Sequence, residues 1–283
     1  MSAEIEKGVL YVVPTPIGNL SDITPRGREV LEFCHFVAAE DTRVSGKLLF
    51  LLGIKKPMVS YHEHNKNKSG KMICERILNG ETCALITDAG TPAISDPGSD
   101  LVALCAEKNI KVVPLPGACA AITALSGSGL PSVRFCFEGF LPENAGERRE
   151  YLESVVNEKR TLIYYIAPHD LDRALSEFKE AFGNRRCVLA KELTKLNERY
   201  IHSTLEKLPV ELDNCEASIK KGEFVLIIEG STNSETAFWS ELSVEDHLKR
   251  YLDLGMTKMD ACKKVARDRG VPKGEIYKIA TGL

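Results

Sequence analysis

The chain has 283 residues, 43% hydrophobic and 27% charged, which is the balance of an ordinary soluble protein with length for about two domains. No apolar run approaches the roughly 20 residues of a membrane span, and residues 1–7 lack the apolar core of a signal peptide, so a cytoplasmic protein is expected. The net charge of −3 is uneven: Ser243–Leu283 carries nine Lys or Arg against six Asp or Glu, a net +3, which leaves −6 on the rest.

Val9–Val13 is a continuous apolar run of strand length, as expected of a buried strand. It runs into Pro14–Leu20, where two prolines forbid further strand or helix. Thr24-Pro25 predicts a helix start. Strand-like Phe36–Ala39 ends in Glu40-Asp41-Thr42-Arg43, and a short helix over Leu48–Leu52 stops at Gly53. Met58–Tyr61 ends in His62-Glu63-His64-Asn65, and a helix through Ile73 and Ile77 stops at Asn79-Gly80.

Strand-like Cys83–Ile86 then enters Thr87–Gly98. Two glycines and two prolines make this a long ordered loop, and twelve residues exceed what chain reversal needs. Lys111–Val113, Pro114–Gly117 and a helix over Ala118–Leu125 follow. The alternation predicts an α/β domain over residues 8–141 with a mostly parallel sheet. A second α/β domain is expected over 148–230, from strands at Thr161–Ile166, Cys187–Ala190, Arg199–Thr204 and Phe224–Ile228. Leu171, Ala174, Leu175 and Phe178 share one helix face between the first two of these.

A polar connector, 231–240, leads to a helical segment over 243–283 with glycines at 255 and 270. That segment reads equally as a helix-turn-helix or as a packing element. Nine cysteines, none in a Cys-x-x-Cys pair, suit buried thiols in a reducing compartment and argue against structural zinc.

The usual nucleotide fingerprints are missing. The nearest approach to Gly-x-Gly-x-x-Gly is Gly127–Ser132, which follows a helix and lacks its third glycine. What remains is a set of five strand-end loops, and in a parallel sheet these share one edge and can converge on one cleft. Glu40, Asp41 and Arg43 place two carboxylates and a guanidinium there, although a solvated turn with its own ion pair is the equal alternative. His62 and His64 have no Cys partner for metal, so no metal is expected.

The residues carry a family resemblance. Leu10–Leu20, Glu40–Arg43, Ser60–His64, Asp88–Pro92, Ser95–Gly98 and Glu192–Lys195, in that order, resemble the bacterial small-subunit ribosomal RNA methyltransferase I family of the tetrapyrrole methylase superfamily. The resemblance spans Gly8 to Gly230. It implies two α/β domains with S-adenosylmethionine folded in the cleft between them. It also implies 2′-O-methylation of a cytidine ribose in the decoding centre of 16S ribosomal RNA, by a homodimer.

By position, the resemblance places Pro16, Asp88, Gly90, Thr91, Ile94, Ser95, Cys119, Ala120, Ile166 and Leu193 on the cofactor. Asp41, His62, Glu63 and Lys191, at strand ends facing the inferred cleft, are the candidate bases. Arg43 is assigned to phosphate, and Lys263, Lys264 and Arg267 of the tail, with Arg148-Arg149, to RNA. The chain departs from the family at Tyr165–Asp170, where the usual Tyr-Glu-Ser-Pro-His-Arg keeps only Tyr165, Pro168 and His169. The alternative readings are a methylase of a tetrapyrrole precursor and a non-catalytic RNA-binding protein on this fold.

Overall fold

In the computed structural model, which describes residues 5–232, 239 and 242–280, the first five strands form one sheet in the order β3-β2-β4-β1-β5. These are β1 (Val9–Val12), β2 (Phe36–Ala39), β3 (Met58–Ser60), β4 (Cys83–Ile86) and β5 (Lys111–Pro114), and every pairing is parallel. Parallel sheets are covered on both faces, which explains why β1, β2 and β4 are buried at every position.

On one face lie α1 (Pro25–Phe33) and α2 (Thr42–Leu51), through Val30, Leu31 and Leu49. On the other lie α3 (Lys66–Leu78) and α4 (Ser99–Glu107), through Ile73, Ile77 and Leu101. Thr24 caps α1 by accepting from Gly27 N at 3.0 Å, with Pro25 at the first helical position.

The last helix of this series, α5 (Ala120–Ser128), leaves the first sheet. Its Ala121, Ala124 and Leu125 pack on Ile163, Val188, Ala190, Val225 and Ile227 of a second sheet. Gly127 is pressed against that sheet: an added Cβ would meet the Tyr200 ring at 2.5 Å, so this glycine serves packing.

The second sheet has the order β6-β7-β10-β8-β9. Its strands are β6 (Phe135–Phe140), β7 (Thr161–Ile166), β8 (Arg186–Lys191), β9 (Arg199–Thr204) and β10 (Phe224–Ile228). β6, grouped above with the first domain, pairs parallel with β7 instead. Its Phe135 and Phe137 face the α5 side and Cys136 the other, so it fits only where both faces are covered. β10 runs antiparallel to both neighbours, so this sheet is mixed. Its far face is covered by α6 (Ala145–Val155), α7 (Leu171–Phe182) and α8 (Leu208–Asp213), with Leu171, Ala174, Leu175 and Phe178 buried as their spacing predicts.

Chain contacts divide the protein into two compact units, Met1–Gly230 and Ser231–Leu283, so both sheets belong to one unit. The second unit contains α9 (Val244–Asp253), α10 (Lys258–Arg269) and α11 (Lys273–Ala280) around Leu248, Tyr251, Val265 and Ile276. Most of the polar connector lies outside the described residues, as do residues 1–4 and 281–283. No helix among the described residues is long and apolar enough to cross a membrane.

Candidate active site

Because the first sheet is parallel, the loops after its strands leave from one edge, and two of them are stitched together. Thr15 and Gly90 form an isolated bridge, with Thr15 N donating to Gly90 O (2.8 Å) and Gly90 N to Thr15 O (3.0 Å). The buried Thr15 hydroxyl donates to Thr87 O at 3.1 Å. Gly90 holds φ +89°, a conformation that side chains rarely adopt. Thr91 Oγ1 donates to Ala118 O at 2.8 Å and ties in the loop after β5. Three loops thus make one wall.

The facing wall comes from the second sheet. Phe140 ends β6, Tyr165 and Ile166 end β7, and Ala167 and Pro168 follow. Glu223, Phe224 and Val225 join them because β10 is antiparallel to β7, with Phe224 opposite Ile166. Between the walls is a cavity of about 350 Å³, bounded on the loop side by Ile17, Ala89, Gly90, Thr91, Ile94, Ser95, Asp96, Cys119 and Ala120. Tyr165 is fixed there: its hydroxyl accepts from Ala121 N at 3.2 Å, and burial pushes its pKa up to about 12. A charged groove of about 490 Å³ between α6 and α7, around Arg149, Glu153 and Glu180, contains none of these loop residues.

Carboxylates crowd the loop edge. Asp41 caps α2, accepting from Arg43 N at 2.8 Å and from Arg43 Nη2 at 2.6 Å. The Arg43 side-chain hydrogen bonds, then the backbone one, hold its carboxyl down at about 2. Asp88 Oδ1 accepts from Asp41 N at 3.2 Å, and desolvation raises its pKa. Asp96 is half-buried, and desolvation followed by the Glu40 charge raises it to about 6.

The family model for Tetrapyrrole (Corrin/Porphyrin) Methylases matches residues 9–209. The ribosomal RNA small subunit methyltransferase I of Halalkalibacterium halodurans is 47% identical over 277 residues, covering 97% of this chain and 95% of that one. Its counterpart in Bacillus subtilis is 42% identical over 276 residues, covering 96% and 94%. The chain belongs to the ribosomal RNA small subunit methyltransferase I family. Among solved structures, a cobalt precorrin-4 methyltransferase of cobalamin biosynthesis has a TM-score of 0.57 at 16% identity, covering 78% of this chain and 95% of that one. A uroporphyrin-III C-methyltransferase from Thermus thermophilus, complexed with S-adenyl homocysteine, has a TM-score of 0.54 at 15% identity, covering 78% and 97%. These two share the fold of the tetrapyrrole methylases.

Within this methyltransferase I fold, Gly90, Thr91, Ile94, Ser95, Cys119, Ala120 and Ile166 come together on the cavity. Pro16 and Asp88 are each displaced by a neighbour, since Ile17 and Ala89 line it instead. Leu193 is 6% exposed and packs with Ile17 in the core, so it supports the wall from behind. The residues that sequence reasoning missed include Asp96, Phe140 and Glu223–Val225.

None of the four proposed bases lines the cavity. Lys191 shares a face of β8 with Cys187 and Leu189, and its Nζ donates to Ser218 O at 2.8 Å, turned away from α5. That placement puts its ammonium on the side of the sheet opposite α5. Glu63 bonds Lys66 at 2.7 Å, and Lys66 also bonds Asp100 at 2.8 Å. His62 N donates to Asn65 Oδ1 at 2.9 Å beside the edge strand β3, two strands from β4.

Asp41 is held ionised by its Arg43 partner. Its depressed pKa favours the ionised native state above its ordinary value of 3.8, and that advantage disappears as pH falls through about 2. Asp41→Asn, which keeps the cap, is therefore expected to leave the turnover profile between pH 5 and 9 within a few-fold of the parent. Steady-state methyl-transfer kinetics across that range check it, and loss of turnover would return Asp41 to the candidates.

Proposed function

We propose that the chain transfers a methyl group from S-adenosylmethionine to the 2′-hydroxyl of a cytidine ribose in 16S ribosomal RNA. The observation that carries this reading is membership of a family whose curated relatives are small-subunit rRNA methyltransferases, together with a cavity formed at the matching motifs. The cavity's chemistry fits the cofactor. Ile17, Ile94, Ile166 and Phe224 offer apolar contact to a purine ring and a thioether, and Asp96 offers negative charge to a sulfonium. Gly117 lets the loops close, since a Cβ there would meet Pro14 Cβ at 2.5 Å.

When bound, S-adenosylmethionine supplies an electrophilic methyl group. The chain's part is to hold the ribose hydroxyl in line with that methyl, and such positioning contributes about 7–11 kcal/mol. The wall of Tyr165, Ile166 and Phe224 excludes water, and Arg43, 89% exposed, is available to a phosphate beyond its Asp41 partner. We place the enzyme in the cytoplasm as a homodimer acting on the small subunit, a reading that rests on the family resemblance.

Two basic groups assigned to RNA take different positions. Arg148 is 5% exposed, bonds Glu177 through Nε at 3.0 Å and donates to Pro142 O at 3.1 Å, so it is structural, while Arg149 is exposed. In the C-terminal unit, Arg267 is exposed, whereas Lys263 and Lys264 each bond an aspartate at 3.2 Å. Phosphate contacts release counterions, with a slope of about −0.7 to −0.9 per contact in log affinity against log salt. Replacing Lys263, Lys264 and Arg267 together by alanine is expected to flatten that slope by roughly 1 to 3. Filter binding of 16S RNA over a salt series checks this, and an unchanged slope would place the RNA elsewhere.

The function itself is tested by transfer of a tritiated methyl from S-adenosylmethionine to isolated small subunits lacking the modification, followed by mapping of the labelled nucleotide. Label on a cytidine ribose is expected. Label on a porphyrinoid instead of RNA would overturn the reading.

A further inference from the structure

A ribose hydroxyl that attacks a methyl group must lose its proton, and Asp41, His62, Glu63 and Lys191 are not among the residues that line the cavity. The geometry points to Asp96 as the catalytic proton acceptor, its carboxylate receiving the hydroxyl proton from within the cavity wall. This inference rests on the methyl-transfer reading above.

Two acidic side chains line the cavity, Asp96 and Glu223. Glu223 is held by Lys195, with Nζ to Oε2 at 3.0 Å, and its side chain is 71% exposed. Asp96 is half-buried and has no cationic partner among the described residues' ion pairs of 4.0 Å or less. The groups that act on it are Glu40 at the end of β2, Asp88 in its own loop and the Thr87 hydroxyl. The Thr87 hydroxyl gives its one proton to Glu40 Oε2 at 2.7 Å, which keeps that carboxylate beside the cavity wall. Across the cavity, Tyr165 feels both Asp96 and Cys119.

The backbone is bent around this position. Ala93 (φ +67°) and Ser95 (φ +60°) both adopt the left-handed conformation without being glycine. Those two bends turn Ile94, Ser95 and Asp96 in succession onto the cavity. Behind them, Gly98 makes room: a Cβ there would come within 3.0 Å of Leu85 Cδ2 and 3.3 Å of Ala93 N. On the other side, the β6 bulge at Gly139 closes on the loop, where an added Cβ would meet Ser95 Oγ at 3.0 Å.

Burial and two neighbouring carboxylates set the proton affinity. At about 6, Asp96 is a stronger acceptor than a carboxylate at its ordinary 3.8 and is still mostly ionised at neutral pH. A nearby sulfonium favours the ionised form further. In the step, the ribose O–H bond breaks and its proton passes to Asp96. The same oxygen forms the bond to the methyl carbon, and the carbon–sulfur electron pair stays with sulfur. The products are a methyl ether, a neutral thioether and a protonated Asp96, which then returns its proton to water.

The test has one arm without RNA and one with it. Calorimetry of S-adenosylmethionine binding at pH 6, in buffers of different ionisation enthalpy, is expected to show release of up to roughly half a proton by the parent protein. The neutral thioether product should release less, and Asp96→Asn should abolish the difference. Equal release by parent and variant, or none by the parent, overturns the assignment whatever the methyl acceptor.

With small subunits as substrate, Asp96→Asn is expected to lower kcat by about 10²-fold or more while the affinity for S-adenosylhomocysteine stays within threefold. The acid limb of the parent's kcat–pH profile should vanish in the variant and return in part with Asp96→Glu. Parental kcat in Asp96→Asn overturns the assignment. A parent that methylates no RNA defeats the reading of the substrate instead, and the calorimetric arm separates the two failures.

Discussion

Gly230→Ala is expected to lower the thermal midpoint of the 1–230 unit by roughly 6–12 °C, the shift that about 3 kcal/mol gives in a unit of this size. Gly230 follows β10, and a Cβ there would collide with the backbone of Lys159 and come within 2.8 Å of Arg160 O. Neither side can yield cheaply. Glu229 N donates to Arg186 O at 2.9 Å, and its carboxylate accepts from Arg186 Nε at 2.8 Å. On the opposing side, Arg160 N and its side chain bond Glu158 at 2.8 and 2.7 Å, and the Thr161 hydroxyl donates to Pro131 O at 2.6 Å. Differential scanning calorimetry reads the shift directly. An unchanged midpoint would mean that the turn before β7 moves freely.

Gly18→Ala is expected to weaken S-adenosylhomocysteine binding about tenfold or more, equivalent to at least about 1.4 kcal/mol. A Cβ on Gly18 would meet Lys195 Cγ at 2.5 Å, Thr194 Oγ1 at 2.8 Å and Leu193 O at 3.1 Å. The Lys195 stem could bend away, but its ammonium is tied to Glu192 and Glu223, each at 3.0 Å. The turn beneath it is already bent, with Glu192 at φ +50° and Thr194 at φ +66°. Displacement therefore passes to Ile17 on one wall and Glu223 on the other, both of which line the cavity. Adding Lys195→Ala should restore part of the affinity, since residues in contact couple in a double-mutant cycle. Full affinity in Gly18→Ala alone would show that the Glu192–Lys195 run does not shape the cavity.

The first sheet was legible because strands covered on both faces are apolar at every position, and Val9–Val13, Phe36–Ala39 and Cys83–Ile86 each read that way. Their parallel order made the convergence of the strand-end loops predictable. Individual site residues were less legible. Glu223–Val225 are not legible from the carboxyl ends of strands, because antiparallel β10 brings its amino end to the edge where β7 ends. The side of the sheet that Lys191 takes follows from strand parity, which puts it with Cys187 and Leu189. Nothing local distinguishes Arg148 from Arg149; only Glu177, twenty-nine residues away, makes one buried and leaves the other exposed. Asp96 lay inside a motif already assigned to the cofactor, and its neighbours Glu40 and Asp88 are brought to it only by the fold.

The route of α5 limits how this protein can be dissected. The helix is reached from β5 of the first sheet, yet its apolar face covers Ile163, Val188, Val225 and Ile227 of the second. A fragment beginning at residue 148 would lack that cover and the β6 strand, leaving one side of its sheet open to water and to other chains. The two halves of the 1–230 unit are thus expected to gain and lose structure together, and neither half is an autonomous part for recombination.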